Sequence, residues 1–184
     1  DALPISLLES ALLSRIKREE YFNHTKPHLS PNITRFAQHF NIVSSWVPAE
    51  IFSAEPIRQV PVLKKFINLC VKLLEMKNFN GSMEILCGLN NSSLQRYKKI
   101  WVLLPARYTE ILGQVEETLS PLRNFRNYRN SLTASMSAGQ PVVPYLAGHL
   151  KDLIFADEGN TTSSGLISFE KISMVGKIVS QLLK

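Results

Sequence analysis

Ile154 and Glu158 lie one helical turn apart in the stretch "LAGHLKDLIFADEGN", one side chain apolar and the other anionic. Leu146, Leu150 and Leu153 form the inward stripe of the same segment, so the pair occupies a flank of its own. A carboxylate near a helix C-terminus opposes the macrodipole, at a cost of a few tenths of a kcal/mol. Two readings stand: a carboxylate kept for contact with a partner, or a solvated acidic helix end before the Gly159 stop. The other chemistry-bearing residues lead less far. His24 and His28 have the i,i+4 spacing of a metal pair, but Pro27 interrupts them and no Glu or Cys completes a set, so no metal ligand is assigned. Cys70 and Cys87 sit in apolar surroundings and read as two small buried hydrophobes, not a disulfide framework. "RNFRNYRN" interleaves Arg123, Arg126 and Arg129 with Phe125 and Tyr128. It fits either a phosphate- and base-gripping surface or a helix with solvated arginines and Phe125, Tyr128 and Leu132 turned inward. No GxGxxG, GxxxxGK[ST] or GxSxG pattern occurs. A phosphate-cradling loop and a nucleophilic enzyme site of those kinds are excluded, and no cofactor is expected.

The elements that would carry these residues are helical throughout. In "IRQVPVLKKFINLCVKLLEMKNFN", Val60, Leu63, Ile67, Cys70 and Leu74 follow 3,4,3,4 spacing, widened by Phe66, Val71 and Leu73. This predicts a central helix with Pro61 in its first turn. "NFNG" is expected to break it before a short helix in "SMEILCGL". Ile33, Phe36, Phe40 and Val43 form one stripe upstream, and Ser44 and Ser45 are expected to start a new helix. Leu94, Tyr97 and Trp101 share helical spacing, as do Tyr108, Ile111, Leu112 and Val115 after Pro105. Phe169, Ile172, Val175, Val179 and Leu182 should form one face behind a Ser168 cap. No strand pair, repeat or low-complexity tract is legible, so the class is all-α.

At 184 residues the chain fits one domain. Its 45% hydrophobic and 20% charged content is that of a globular protein. No apolar run approaches the roughly 20 residues of a membrane span. The abrupt opening and a last helix still periodic at Lys184 suggest truncation at both ends. A net charge of +6 favours an acidic partner without choosing its kind.

Six stretches in register carry a resemblance: "ITRFAQHFNIVSSWVPAEIF", "IRQVPVLKKFINLCVKLLEMKNFNGSMEILCGLN", "SSLQRYKKIWVLLP", "RNFRNYRNSL", "PVVPYLAGHLKDLIFADEGN" and "LISFEKISMVGKI". From about Ile33 onward the chain resembles the catalytic domain of Ras-family guanine-nucleotide exchange factors. Before that point only "LLESALLSRIKREEYF" suggests the family's first helix. The resemblance implies an all-α bowl of packed helices with a protruding helical hairpin. The hairpin would span about residues 145–182, with "EGNTTSSGL" at its turn. It implies exchange on a Ras- or Rap-type GTPase, with Ile154 taking the magnesium position and Glu158 reaching toward the phosphate-binding loop. Arg58 would touch the second switch segment and the Asn78–Asn80 corner would shape the bowl. Asn80, Lys151, Phe155 and Asn160 join Arg58 as expected GTPase contacts. No bond is made or broken by such a protein, and no nucleic acid is expected as partner. A cytoplasmic location with recruitment to membranes through the GTPase follows from the same likeness. The alternative is an interaction module of the same fold without exchange activity. The family's helix after "SFEKISMVGKIVSQLLK" and the separate helical module that often braces the hairpin have no counterpart here.

Overall fold

The computed structural model describes residues 2–158 and 169–182. Among them run eleven helices: α1 (Ala2–Leu13), α2 (Arg18–Phe22), α3 (Pro31–Ser53), α4 (Pro56–Glu75), α5 (Phe79–Leu89), α6 (Ser92–Arg96), α7 (Lys98–Val102), α8 (Ala106–Thr118), α9 (Leu122–Ser137), α10 (Leu146–Glu158) and α11 (Phe169–Leu182). No strand occurs among the described residues, and the all-α class stands.

Helix starts follow local chemistry. Pro31 and Pro56 open α3 and α4 at positions whose N–H groups would be unpaired in any helix. The side chain of Asn78 accepts the Gly81 N–H at the head of α5, and Asn91 accepts the Ser93 N–H at the head of α6. The α3 terminus is served from a distance. Glu20 of α2 accepts the Asn32 and Ile33 backbone N–H groups at 2.7 and 3.3 Å and the Asn32 amide at 2.6 Å. Burial alone would raise the Glu20 pKa, but these bonds and one from the Lys17 N–H outweigh it and hold it low.

Helix α3 runs unbroken through Ser44 and Ser45, where a new start was expected. The Ser44 hydroxyl bonds back to Asn41 O at 3.2 Å, a mode open to serine inside a helix. Pro48 also lies within α3 and removes the N–H that would reach Ser44 O. Gly88 of α5 packs at that same carbonyl: a Cβ added there would lie 2.5 Å from Ser44 O and 2.6 Å from Val47 Cβ. Three further expectations shift. Pro61 stands inside α4, not in its first turn, because the helix begins at Pro56. Helix α5 begins at Phe79, within "NFNG". The run around Tyr97 divides into α6 and α7, with Trp101 Nε1 donating to Leu94 O at 2.9 Å across the break.

The main core gathers Leu63, Ile67, Cys70 and Leu73 of α4 with Val47 and Ile51 of α3 and Phe79, Ile85 and Leu89 of α5, all fully buried. Leu112 and Val115 of α8 and Tyr128 and Leu132 of α9 close it. A second, smaller cluster joins Ile16, Tyr21, Ile33 and Phe36 to Val143, Leu146, Leu153, Val179 and Leu182. Cys70 belongs to the main core, but Cys87 is exposed, since it falls on the outer side of α5.

Candidate functional site

Helix α10 is aimed by what precedes it. Lys77 adopts φ 60°, turning the chain sharply between α4 and α5. Val143 pairs with that corner: its N–H donates to Lys77 O at 3.0 Å, and its carbonyl accepts from Phe79 N at 2.9 Å. Pro144 and Tyr145 then lead directly into α10.

Helix α9 fastens α10 from the side. The Tyr128 hydroxyl accepts the Tyr145 N–H at 2.9 Å and meets His149 Nε2 at 3.0 Å. Arg129 Nη1 binds Asp152 Oδ2 at 2.7 Å. Of the two readings of "RNFRNYRN", the inward aromatics hold: Tyr128 is fully buried and Phe125 half-buried. The arginines divide, with Arg123 and Arg126 exposed and Arg129 committed to the ion pair. Arg123, Asn124 and Phe125 take left-handed dihedrals at the head of α9, so its regular turns begin after them. Burial lowers the His149 pKa to about 4, with Arg129 adding to the effect, and burial likewise raises the Tyr128 hydroxyl.

Helices α10 and α11 lie against each other, and Lys171 Nζ meets Asp157 Oδ1 at 2.6 Å, joining the end of α10 to the start of α11. The two helices therefore run antiparallel. The intended turn lies, from Gly159 on, outside the described residues, as do Asn160 and the Ser168 cap. The α11 stripe splits along its length. Val179 and Leu182 are buried and Val175 partly so, whereas Phe169 and Ile172 are exposed.

On α10, Glu158 is exposed and Ile154 half-buried. Both border a small groove of about 160 Å³ with Tyr21, Phe22, His24, Thr25, Asp157 and Val175. The chain around the end of α2 thus flanks the pair. Lys151 and Phe155 form a neighbouring exposed strip, the ammonium 5.4 Å from the ring centre. Arg58 is exposed on the first turn of α4, a different element.

Asn80 has another setting. It is 1% exposed, and its amide donates to both the Glu9 and Glu84 carboxyl groups, the latter at 2.9 Å. It also lines a cleft of about 270 Å³ with Phe36, Phe40, Tyr145 and Leu150, between α3 and the base of α10.

Glu9, His39 and Glu84 form a constellation absent from the sequence reading. Each offers one ligand atom, and these atoms lie within 4.8 Å of one another. Burial and the adjacent Glu9 carboxyl push Glu84 up to about 10. Their separations along the chain, 30 and 45 residues, leave no local motif to read.

The family model for the RasGEF domain matches residues 2–173. Ras guanine nucleotide exchange factor W of Dictyostelium discoideum is 36% identical over 191 residues, covering 98% of this chain and 16% of that protein. Human Rap guanine nucleotide exchange factor 6 is 31% identical over 189 residues, covering 100% of this chain and 12% of that protein. Mouse Rap guanine nucleotide exchange factor 3 is 34% identical over 173 residues, covering 93% and 18%. The chain thus spans less than a fifth of the length of these relatives.

Proposed function

This chain belongs to the RasGEF domain family, and on that premise we propose that it promotes GDP release from a Ras- or Rap-type GTPase through the α10–α11 hairpin. The observation that carries the reading is the outer edge of α10, where exposed Glu158 follows half-buried Ile154 by one turn on a helix anchored at its base. Ile154 enters the magnesium position of the GTPase, and Glu158 approaches its phosphate-binding loop. Arg58, Lys151 and Phe155 supply the surrounding contact surface, joined by Asn160 on the family resemblance, and the buried Asn80 acts behind it by shaping the corner.

The energetics fit a displacement device. A nucleotide held near picomolar affinity is bound by about 16 kcal/mol, so unaided release is slow. Much of that binding rests on neutralising phosphate charge with a divalent ion and backbone N–H groups. An apolar group in the ion's place removes two positive charges. A carboxylate nearby competes with phosphate for the same donors. A protein that prefers the empty GTPase must, by linkage, weaken nucleotide binding by the same factor. Among the described residues no helix is long and apolar enough to cross a membrane. Membrane proximity through the bound GTPase is part of the same proposal.

The test is release of a fluorescent guanine nucleotide from Ras and Rap proteins. Ile154→Ala and Glu158→Ala are expected to slow catalysed release at least tenfold while leaving the helical circular dichroism unchanged. Nucleotide-independent binding to partners with no acceleration of release from any GTPase tested would mark an exchange-inactive interaction module instead.

A further inference from the structure

Glu9 comes from α1, His39 from α3 and Glu84 from α5, and the two carboxyl groups are fully buried. Two like carboxylates enclosed together are unfavourable unless a proton or a cation stands between them. Their donors are few: Asn78 and Asn80 give N–H bonds to Glu9, and Asn80 gives one to Glu84 Oε1. Glu84 Oε2 has no hydrogen-bond partner despite complete burial, and neither has His39 Nε2. These two unpartnered atoms face each other at 4.0 Å, too far for a hydrogen bond. A tetrahedral zinc with bonds of about 2.0 Å holds its ligand atoms about 3.3 Å apart, so a small inward shift of the two side chains would seat an ion between them. Gly81 keeps the surroundings open, since a Cβ there would lie 2.7 Å from Glu9 Oε2.

We propose that Glu9, His39 and Glu84 form a divalent transition-metal site, with zinc the fitting occupant, that pins α1 to α3 and α5. One imidazole nitrogen with two carboxylate oxygens suits a borderline ion, and a water would complete a tetrahedron. Magnesium and calcium prefer all-oxygen shells and fit it poorly. The Asn78 and Asn80 amides, bonded to the ligand oxygens, orient them as outer partners do in metal sites. The site is independent of the exchange reading, and no GTPase is needed to detect it.

The experiment uses purified protein stripped with a chelator and titrated with zinc chloride. Calorimetry should give one equivalent of saturable binding, accompanied by a rise in Tm. Cobalt(II) at the same site should give the visible absorption of a four-coordinate ion. His39→Ala should weaken zinc binding at least tenfold. The partly exposed His39 has no hydrogen bond through Nε2, so this variant keeps the fold. Glu84→Gln keeps the volume and should weaken binding similarly, while His28→Ala on the surface should leave it unchanged. Magnesium and calcium should not shift Tm at equal concentration. Absence of zinc binding, or binding that survives His39→Ala undiminished, overturns the proposal.

Discussion

His149 is a buried imidazole facing one cation, one anion and one phenol: Arg129 and Tyr128 from α9, and Asp152 from its own helix. Burial favours the neutral ring and takes its pKa from 6.5 down to about 4. The unfolded chain binds the proton below pH 6.5 and the folded chain does not. Stability is therefore full above pH 6.5 and is lost as the pH falls toward 4. The linkage amounts to about 3 kcal/mol across that window. His149→Gln, which can still meet the Tyr128 hydroxyl, should lose correspondingly less on acidification. Urea midpoints measured from pH 7 to 4 check this, and parallel profiles for the two proteins would refute it. At this scale the sequence was readable where partners are neighbours. Ile154 and Glu158 announce themselves because i,i+4 spacing is fixed by helix geometry. Asn80 does not, because the Glu9 carboxyl that holds its amide lies 71 residues away. Only the folded chain distinguishes an asparagine that faces a partner from one that satisfies two buried acids.

Helix α5 crosses α3 with almost no clearance, and the close approach depends on Gly88. Pro48 has already taken the usual donor from Ser44 O, and the bare Gly88 backbone fills the space beneath it. A methyl group on Gly88 would meet a backbone oxygen, which cannot rotate away as a side-chain tip can. Gly88→Ala should destabilise the protein by about 1–3 kcal/mol, the cost of overpacking a tight contact. Gly113→Ala is the control, since a Cβ there meets nothing within 4 Å. That exposed helical position should gain a few tenths to about 1 kcal/mol from the better propensity. Equal thermal midpoints for the two variants would defeat the argument. The stripes of α4 and α8 were legible because each faces the main core along its length, and that of α3 because it passes from the smaller cluster at Ile33 and Phe36 to the main core at Val43. Breaks and starts were less so. Serines and prolines that signal a boundary in isolation are overridden when a neighbouring helix accommodates the missing bond, as at Ser44–Pro48.

For the molecule as a whole, the two apolar clusters divide the labour. The main core binds α3, α4, α5, α8 and α9, and the smaller one seats α10 and α11 on Ile16, Tyr21, Ile33 and Phe36. The all-α class and the family were legible in the chain. The flanking of Ile154 by Tyr21 and Phe22 was not, because the residues before Ile33 carry little of the resemblance. Among the described side chains of α11 only Val179 and Leu182 are buried, against six inward residues on α4, and its outer half shows Phe169 and Ile172 to solvent. Fewer buried contacts mean a lower free energy of local opening. The Arg129–Asp152 pair is half-buried, and its loss leaves one charge poorly solvated, so it contributes more than an exposed pair would. Native-state hydrogen exchange should therefore find α11 opening first, α10 next, and α4 and α5 only with global unfolding. Asp152→Asn should accelerate hydrogen exchange in α10 and, on the function proposed above, slow nucleotide release, while protection in α4 stays as it was. Uniform protection across α4, α10 and α11 would mean that the α10–α11 pair and the main core unfold as a single unit. A hairpin so coupled could not adjust to a partner without straining the core, and the exchange role proposed for Ile154 and Glu158 would then depend on α4 and α5 as directly as on that pair.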